Sequence, residues 1–150
     1  MPLAANLLSL VTASSIGIVT YQSPVSFPIV NHFDLPLHKW DAGNRGVDYS
    51  PPAGTAVTAA ADGTVTFSGQ VGGQLFVVLR HADGTRTTYA YLAGVTVRQG
   101  DAVLQGEQLG VTGTSLHFGA RVGDQYVDPE ALLARRGHAY LVPTVDTDQS

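Results

Sequence analysis

Ala53-Gly54-Thr55-Ala56-Val57 leads into Ala60-Ala61-Asp62-Gly63-Thr64-Val65 and on to Phe67, and its opening returns as Gln99-Gly100-Asp101-Ala102-Val103. Each copy reaches a further glycine, Gly63 or Gly110, about ten residues after its opening, so the two read as a duplicated β-unit. The chain has many Val and Thr residues, and helix-favouring charged runs are missing, which argues for strands joined by tight turns. Between the copies, Gln74 to Arg80 and Arg86 to Leu92 flank Asp83-Gly84, a hairpin signal in which glycine supplies the positive φ. Pro51-Pro52-Ala53-Gly54 is a turn ahead of the first copy. Short strands are expected at Val95 to Val97, at Ala102 to Leu109 with Gly106 inside, and at His117 to Val122, with Asp124 turning the chain back to Tyr126. Asp128-Pro129-Glu130 opens a helix over 129–135, with Asp as cap, Pro at the first helical position and Gly137 past the end.

The expected fold is mainly β: a single domain of antiparallel sheets, as a β-sandwich or duplicated hybrid-motif arrangement, with one short C-terminal helix. A chain of 150 residues suits one domain that removes roughly 70% of its unfolded surface from water. Charged residues make up only 13%, about half the usual share, while 17 glycines agree with the turn-rich reading. The net charge of −4 and the absence of a basic cluster longer than Arg135-Arg136 exclude the electrostatic footprint of a nucleic-acid binder. No cysteine is present, which rules out disulfides and thiolate metal sites.

Residues 1–31 carry no charged side chain, and Leu3 to Val19 is an apolar run interrupted by Asn and hydroxyl residues. That pattern is closer to the apolar part of a secretory signal than to a spanning helix, although the basic start of a signal is missing. The segments expected are therefore 1–22 as a signal or N-terminal segment, 23–143 as the β domain and 144–150 as a frayed tail. No integral membrane domain is expected beyond that possible signal. Pro24, Pro28 and Pro36 make an irregular lead-in whose Phe27, Ile29, Phe33 and Trp40 are expected to lend the sheet aromatic and aliphatic cover.

Chemistry concentrates in two further stretches, Gly43-Asn44-Arg45-Gly46-Val47-Asp48-Tyr49 and Ser115-Leu116-His117-Phe118-Gly119. Asp48 and His117 are ligand types for a zinc ion, which in a hydrolase takes three protein ligands and a water. On a strand, positions two apart share a face, so residue 115 points with His117. A serine there is a poor ligand and a poor base, and Asn44, four residues before Asp48, offers only a neutral amide. Read without a metal, Asp48 is an Asx-type turn residue near Ser50, and His117 is a strand histidine hydrogen-bonded to Asp48 or Asn44. His32, His38 and His81 are spare imidazoles, His38 lying in the approach to Trp40.

In order from about Trp40 to Leu133, these stretches, with Tyr89-Ala90-Tyr91-Leu92 and Val127-Asp128-Pro129, resemble the lysostaphin/LytM-type zinc endopeptidases of bacterial cell walls. The resemblance implies a secreted or cell-envelope protein of bacteria. It also implies zinc ligands from a His-x-x-x-Asp motif and the last His of a His-x-His motif, with two further histidines for proton transfer and transition-state stabilisation. Laid on this chain, Asp48 and His117 retain ligand types, Asn44 replaces the third ligand, and Ser115 and Tyr91 replace the two catalytic histidines. Losing a positioned acid/base alone removes a factor of about 100 to 10,000. The expectation is a fold kept and a chemistry lost, with no cofactor. Arg45, Tyr91 and Arg121 are candidates for binding peptide carboxylates or filling the groove.

Inactive relatives of such domains activate other wall enzymes, so the resemblance implies as partner either a peptidoglycan stem peptide or a cell-wall hydrolase. The competing reading is an active zinc endopeptidase cleaving peptidoglycan peptides with a rearranged site. A biotinyl or lipoyl carrier, also built on a β-repeat, needs a lysine at an exposed hairpin tip. The single lysine, Lys39, lies in the lead-in, outside the repeats.

Overall fold

The computed structural model describes residues 15–134 and 138–142. Its strands in chain order are β1 (Ser15–Val19), β2 (Ile29–Asn31), β3 (Gly46–Tyr49), β4 (Ala56–Thr58), β5 (Gly63–Val71), β6 (Gln74–Arg80), β7 (Thr85–Val95), β8 (Ala102–Val103), β9 (Gln108–Val122), β10 (Gln125–Val127) and β11 (His138–Val142), with one helix, α1 (Pro129–Ala134), before the last. The fold is thus mainly β with one short helix, as expected. Nine strands form one hydrogen-bonded sheet in the order β2-β3-β9-β7-β6-β5-β8, with β4 and β10 also on β9, and β1 and β11 form a separate ribbon. All of these pairings are antiparallel.

The duplication explains the sheet's connectivity. Gly54 and Gly100 both take positive φ, 86° and 95°, and each precedes a short strand with a buried valine, Val57 in β4 and Val103 in β8. The pairing is reciprocal: Val57 of the first unit faces Gly110 of the second, and Val103 of the second faces Gly63 of the first. Both facing glycines sit where a neighbouring backbone comes close. A Cβ on Gly110 would lie 2.2 Å from the Gly94 carbonyl oxygen, and one on Gly63 would lie 2.7 Å from that of Arg80.

Strand β9 is the spine. Its first half carries β4 and the end of β7, and its second half carries β3, β10 and the start of β7. Leu109, Leu116 and Phe118 of β9 are fully buried with Val47, Tyr49, Val57, Val65, Val77, Leu79 and Tyr89. At ~25 cal/mol per Å² of apolar surface, this cluster supplies the main term holding the domain together. The expected helix ends at Ala134, and its start is capped as anticipated: the Glu130 N–H donates to Asp128 Oδ1 at 2.9 Å. Gly137 and the tail 144–150 lie outside the described residues.

Three expectations need correction. Residues 96–98 are not a strand, because β7 already continues to Val95 and the chain turns there. The run 102–109 breaks after Val103, since Gly106 at φ 85° is part of a turn whose Glu107 N–H returns to the Leu104 carbonyl. Residues 1–14 lie outside the described residues; Ser15–Val19 forms β1, and Val19 and Tyr21 are buried. Ile29 and Phe33 of the lead-in do pack on the core, whereas Trp40 is 83% exposed and covers nothing. Among the described residues, no helix is long and apolar enough to cross a membrane.

His81 is a core residue. Its Nδ1 lies 2.7 Å from the Asp62 carbonyl oxygen and its Nε2 2.7 Å from Thr87 Oγ1, with the Tyr21 ring edge-on at 5.2 Å. A carbonyl only accepts, so Nδ1 carries the proton and Nε2 accepts from Thr87, a neutral imidazole satisfied on both sides. Burial pushes its pKa down, against the opposing pull of the Asp62 carbonyl and the Asp83 and Asp62 carboxylates. The unfolded chain, with His near 6.5, therefore takes up a proton before the folded one does, and stability falls as pH drops through ~6.5. Urea unfolding at pH 7.5 and 5.5 is expected to show this loss, approaching ~1.4 kcal/mol per pH unit for this group, and His81→Gln is expected to flatten it.

Candidate functional site

The antiparallel register of β3 on β9 sets Asp48 opposite His117 and Gly46 opposite Gly119. Partners opposite one another project to the same side of a sheet, so the carboxylate and the imidazole meet above it. The glycine at 46 is what lets them stay there: a Cβ on it would lie 2.4 Å from the Phe118 carbonyl oxygen and 2.8 Å from His117 Nε2. Asn44 is fixed just before β3 by a two-way backbone bridge to Asp34, with both hydrogen bonds at 2.8 Å.

These three side chains form one closed array. His117 Nδ1 lies 2.7 Å from Asp48 Oδ1, and since a carboxylate oxygen accepts, Nδ1 carries the proton. Asn44 Nδ2 donates to Asp48 Oδ2 at 3.0 Å and to the His32 carbonyl at 3.1 Å. Turned over, the Asn44 amide would bring its oxygen against two acceptors, so its neighbours dictate the amide's orientation. Asp48 takes both its hydrogen bonds from side chains and is no Asx-turn residue; that reading is corrected. The pair is only partly buried, at 23% and 24% side-chain exposure.

Tyr91 and Ser115 line the same open cleft of about 610 Å³, with Asn44, Arg45, Asp48 and His117. Tyr91 is 43% exposed, its ring 6.1 Å from that of His117 and 6.5 Å from that of Phe76. Its φ of 67° makes it the one non-glycine residue with positive φ among the described residues. The cause is a register shift: Ala90 faces His117 but Leu92 faces Thr112, so Tyr91 is pushed out of the ladder. All five positions singled out in the sequence therefore come together in space, which neither stretch could establish alone.

Other expectations part from the structure. Arg45 lines the cleft and donates from a guanidinium nitrogen to the Lys39 carbonyl. Arg121 does not line it: it lies further along β9, with its guanidinium carbon 5.9 Å from the centre of the Tyr126 ring, and Arg45 sits at the same distance from that ring. As a groove residue beside Tyr91, Arg121 is thus corrected. Of the spare imidazoles, His81 is in the core, His38 is exposed in the lead-in, and His32 is tied through Nδ1 to Glu130 Oε2 at 2.7 Å.

The side chains present do not fit a hydrolytic zinc. Among the described residues no three His, Asp or Glu groups stand together as a metal site. Two ligand-type groups are present where three are needed, they are bonded to each other, and the neighbouring amide turns N–H rather than a lone pair towards them. What the arrangement can do is present a fixed carboxylate–imidazole–amide set, an aromatic wall at Tyr91 and a cation at Arg45 to a ligand in the cleft.

Residues 42–129 match the description peptidase family M23. The DD-carboxypeptidase/endopeptidase Mpg of Neisseria meningitidis serogroup B is 43% identical over 101 residues, which cover 62% of this chain and 23% of Mpg. Cell division protein DipM of Caulobacter vibrioides is 38% identical over 108 residues, covering 61% of this chain and 18% of DipM. Among solved structures, Helicobacter pylori Csd3 superposes with a TM-score of 0.69 at 25% identity, over 81% of this chain and 36% of Csd3. The chain spans under a quarter of the length of either curated relative.

Proposed function

Because the chain belongs to peptidase family M23, we propose that it is a non-hydrolytic member which uses the family's cleft to bind. In this reading it works in the cell envelope, gripping a peptidoglycan stem peptide or regulating a true wall hydrolase. One observation carries the reading. In the cleft, Asp48 is hydrogen-bonded by both His117 and Asn44, and the two groups of ligand type fall one short of the three protein ligands that a hydrolytic zinc takes. Ser115 and Tyr91 stand at the remaining positions, and neither side chain is a proton acceptor at neutral pH. General acid–base catalysis contributes a factor of about 100 to 10,000, and its loss on top of a missing ligand leaves no useful rate. The relatives' names, a DD-carboxypeptidase/endopeptidase and a cell division protein, support the envelope setting.

Zinc loading followed by dialysis and elemental analysis, run beside digestion of purified peptidoglycan, tests this. Well under one zinc per chain is expected, with no muropeptides released and the protein sedimenting with the wall. Stoichiometric zinc together with released muropeptides would establish instead the active endopeptidase with a rearranged site. That alternative has to recruit a further donor, either the exposed His38 or His32, whose ring is held by Glu130.

A further inference from the structure

Across three neighbouring strands the register sets three arginines side by side. Arg80 of β6 faces Arg86 of β7, Arg86 faces Arg121 of β9, and Arg121 faces Tyr126 of β10. Residues directly opposite share a face with Cβ atoms about 4.5–5.5 Å apart, and like charges placed so are destabilising. His32–Glu130 and His117–Asp48 are ion pairs, and neither involves an arginine. A fourth cation, Arg45, shares the Tyr126 ring with Arg121. In a chain of net charge −4, this is a line of cations on one face of the sheet. It lies on the same face as the cleft, since His117, Gly119 and Arg121 alternate along β9, and four residues of strand put it about 13 Å from His117.

We propose that the row Arg80–Arg86–Arg121 binds an extended acidic peptide laid across the strands, its carboxylates taken by successive guanidiniums. Alternate side chains of an extended peptide share a side and recur every ~6.6 Å, within the reach of long arginine stems rooted ~5 Å apart. The planar guanidinium takes a carboxylate bidentately. The energetic argument is the repulsion between like charges set directly opposite one another, a local fold cost that a ligand's negative charge reduces. The inference goes beyond the cleft's loss of hydrolysis and does not depend on it, for binding is measured rather than cleavage.

Fluorescence anisotropy with the full chain and a labelled (Ser-Glu)4 peptide tests it, with (Ser-Gln)4, a single-stranded oligodeoxynucleotide and inorganic polyphosphate as comparison probes. The Glu peptide is expected to bind, more weakly as salt rises, and Arg86→Gln to weaken it at least 10-fold while Arg98→Gln, in an exposed turn, leaves it unchanged. Arg86→Gln is also expected to raise the melting temperature, since it removes the middle of three like charges, whereas loss of a merely structural arginine lowers it. Displacement by soluble muropeptides with free carboxylates supports a wall peptide as the source, and binding without displacement supports an acidic segment of a partner protein. Equal binding of the Gln peptide, tighter binding of the oligonucleotide or polyphosphate, or an Arg86→Gln affinity within twofold of the parent overturns the proposal.

Discussion

Asn44→His is expected to turn a chain that sheds zinc on dialysis into one that keeps close to one zinc per molecule, with affinity raised more than 100-fold, yet still to release nothing from purified cell wall. The first half follows from spacing. Ligand atoms about 2.0–2.1 Å from one tetrahedral zinc stand roughly 3.3 Å from one another. The hydrogen bonds that now join His117 to Asp48 and Asn44 to Asp48 are 2.7 and 3.0 Å, so the array already has nearly ligand-to-ligand dimensions. An imidazole at position 44 replaces a donated N–H with a lone pair. Changes one shell further out are worth 10- to 100-fold in affinity, and a direct ligand is worth more. The second half follows from what the variant still lacks. Ser115 and Tyr91 remain in the cleft, and neither takes a proton from water at neutral pH. Isothermal titration with zinc and chromatographic analysis of digests read the two halves separately. Hydrolysis by this single variant would show that the chemistry assigned to positions 91 and 115 is not needed. Failure to take up zinc would show that Asp48 and His117 are not a remnant ligand pair.

Phe118→Ala is expected to cost about 3–5 kcal/mol of stability, the range for emptying a buried aromatic site, and to lower the melting temperature of a domain this size by roughly 10 °C. Phe118 has no solvent exposure, its ring lies 5.3 Å from that of Tyr89, and it sits on β9 between His117 and Gly119. The site cannot collapse readily, because Tyr89 is itself fixed: its hydroxyl accepts the Ala60 N–H at 2.9 Å and lies 2.9 Å from Thr87 Oγ1. Chemical unfolding checks the magnitude, and a loss under 1 kcal/mol would mean that the core does not close around β9.

Local signals were readable along the sequence where a residue's own backbone chemistry decides the outcome. Asp83-Gly84 gives a turn because glycine alone accepts its φ of 88° without strain, and Asp128-Pro129 gives a helix start because a carboxylate caps one free N–H while proline lacks one. The cleft was readable because two short stretches each held residues of ligand type, and the family resemblance supplied the fold that joins them. Register was not. Arg80, Arg86 and Arg121 are scattered along the chain and become a row only through two strand pairings, and the same register carries Arg121 away from the cleft. Nor could the sequence foretell that Asn44 is pinned by Asp34, a partner ten residues away that no motif marks. The exposed Trp40 is the opposite lesson: an aromatic in an apolar lead-in invites a burial that proline-punctuated backbone need not deliver.

The outward kink at Tyr91 discriminates among the side chains that can stand on it. A backbone at φ 67° is uncomfortable for a bulky aromatic and suits histidine, which ranks with Asn and Asp as a side chain enriched there. Histidine is also what the family resemblance would put at that place. The main chain at this place is thus shaped to suit a histidine ring better than the tyrosine that occupies it.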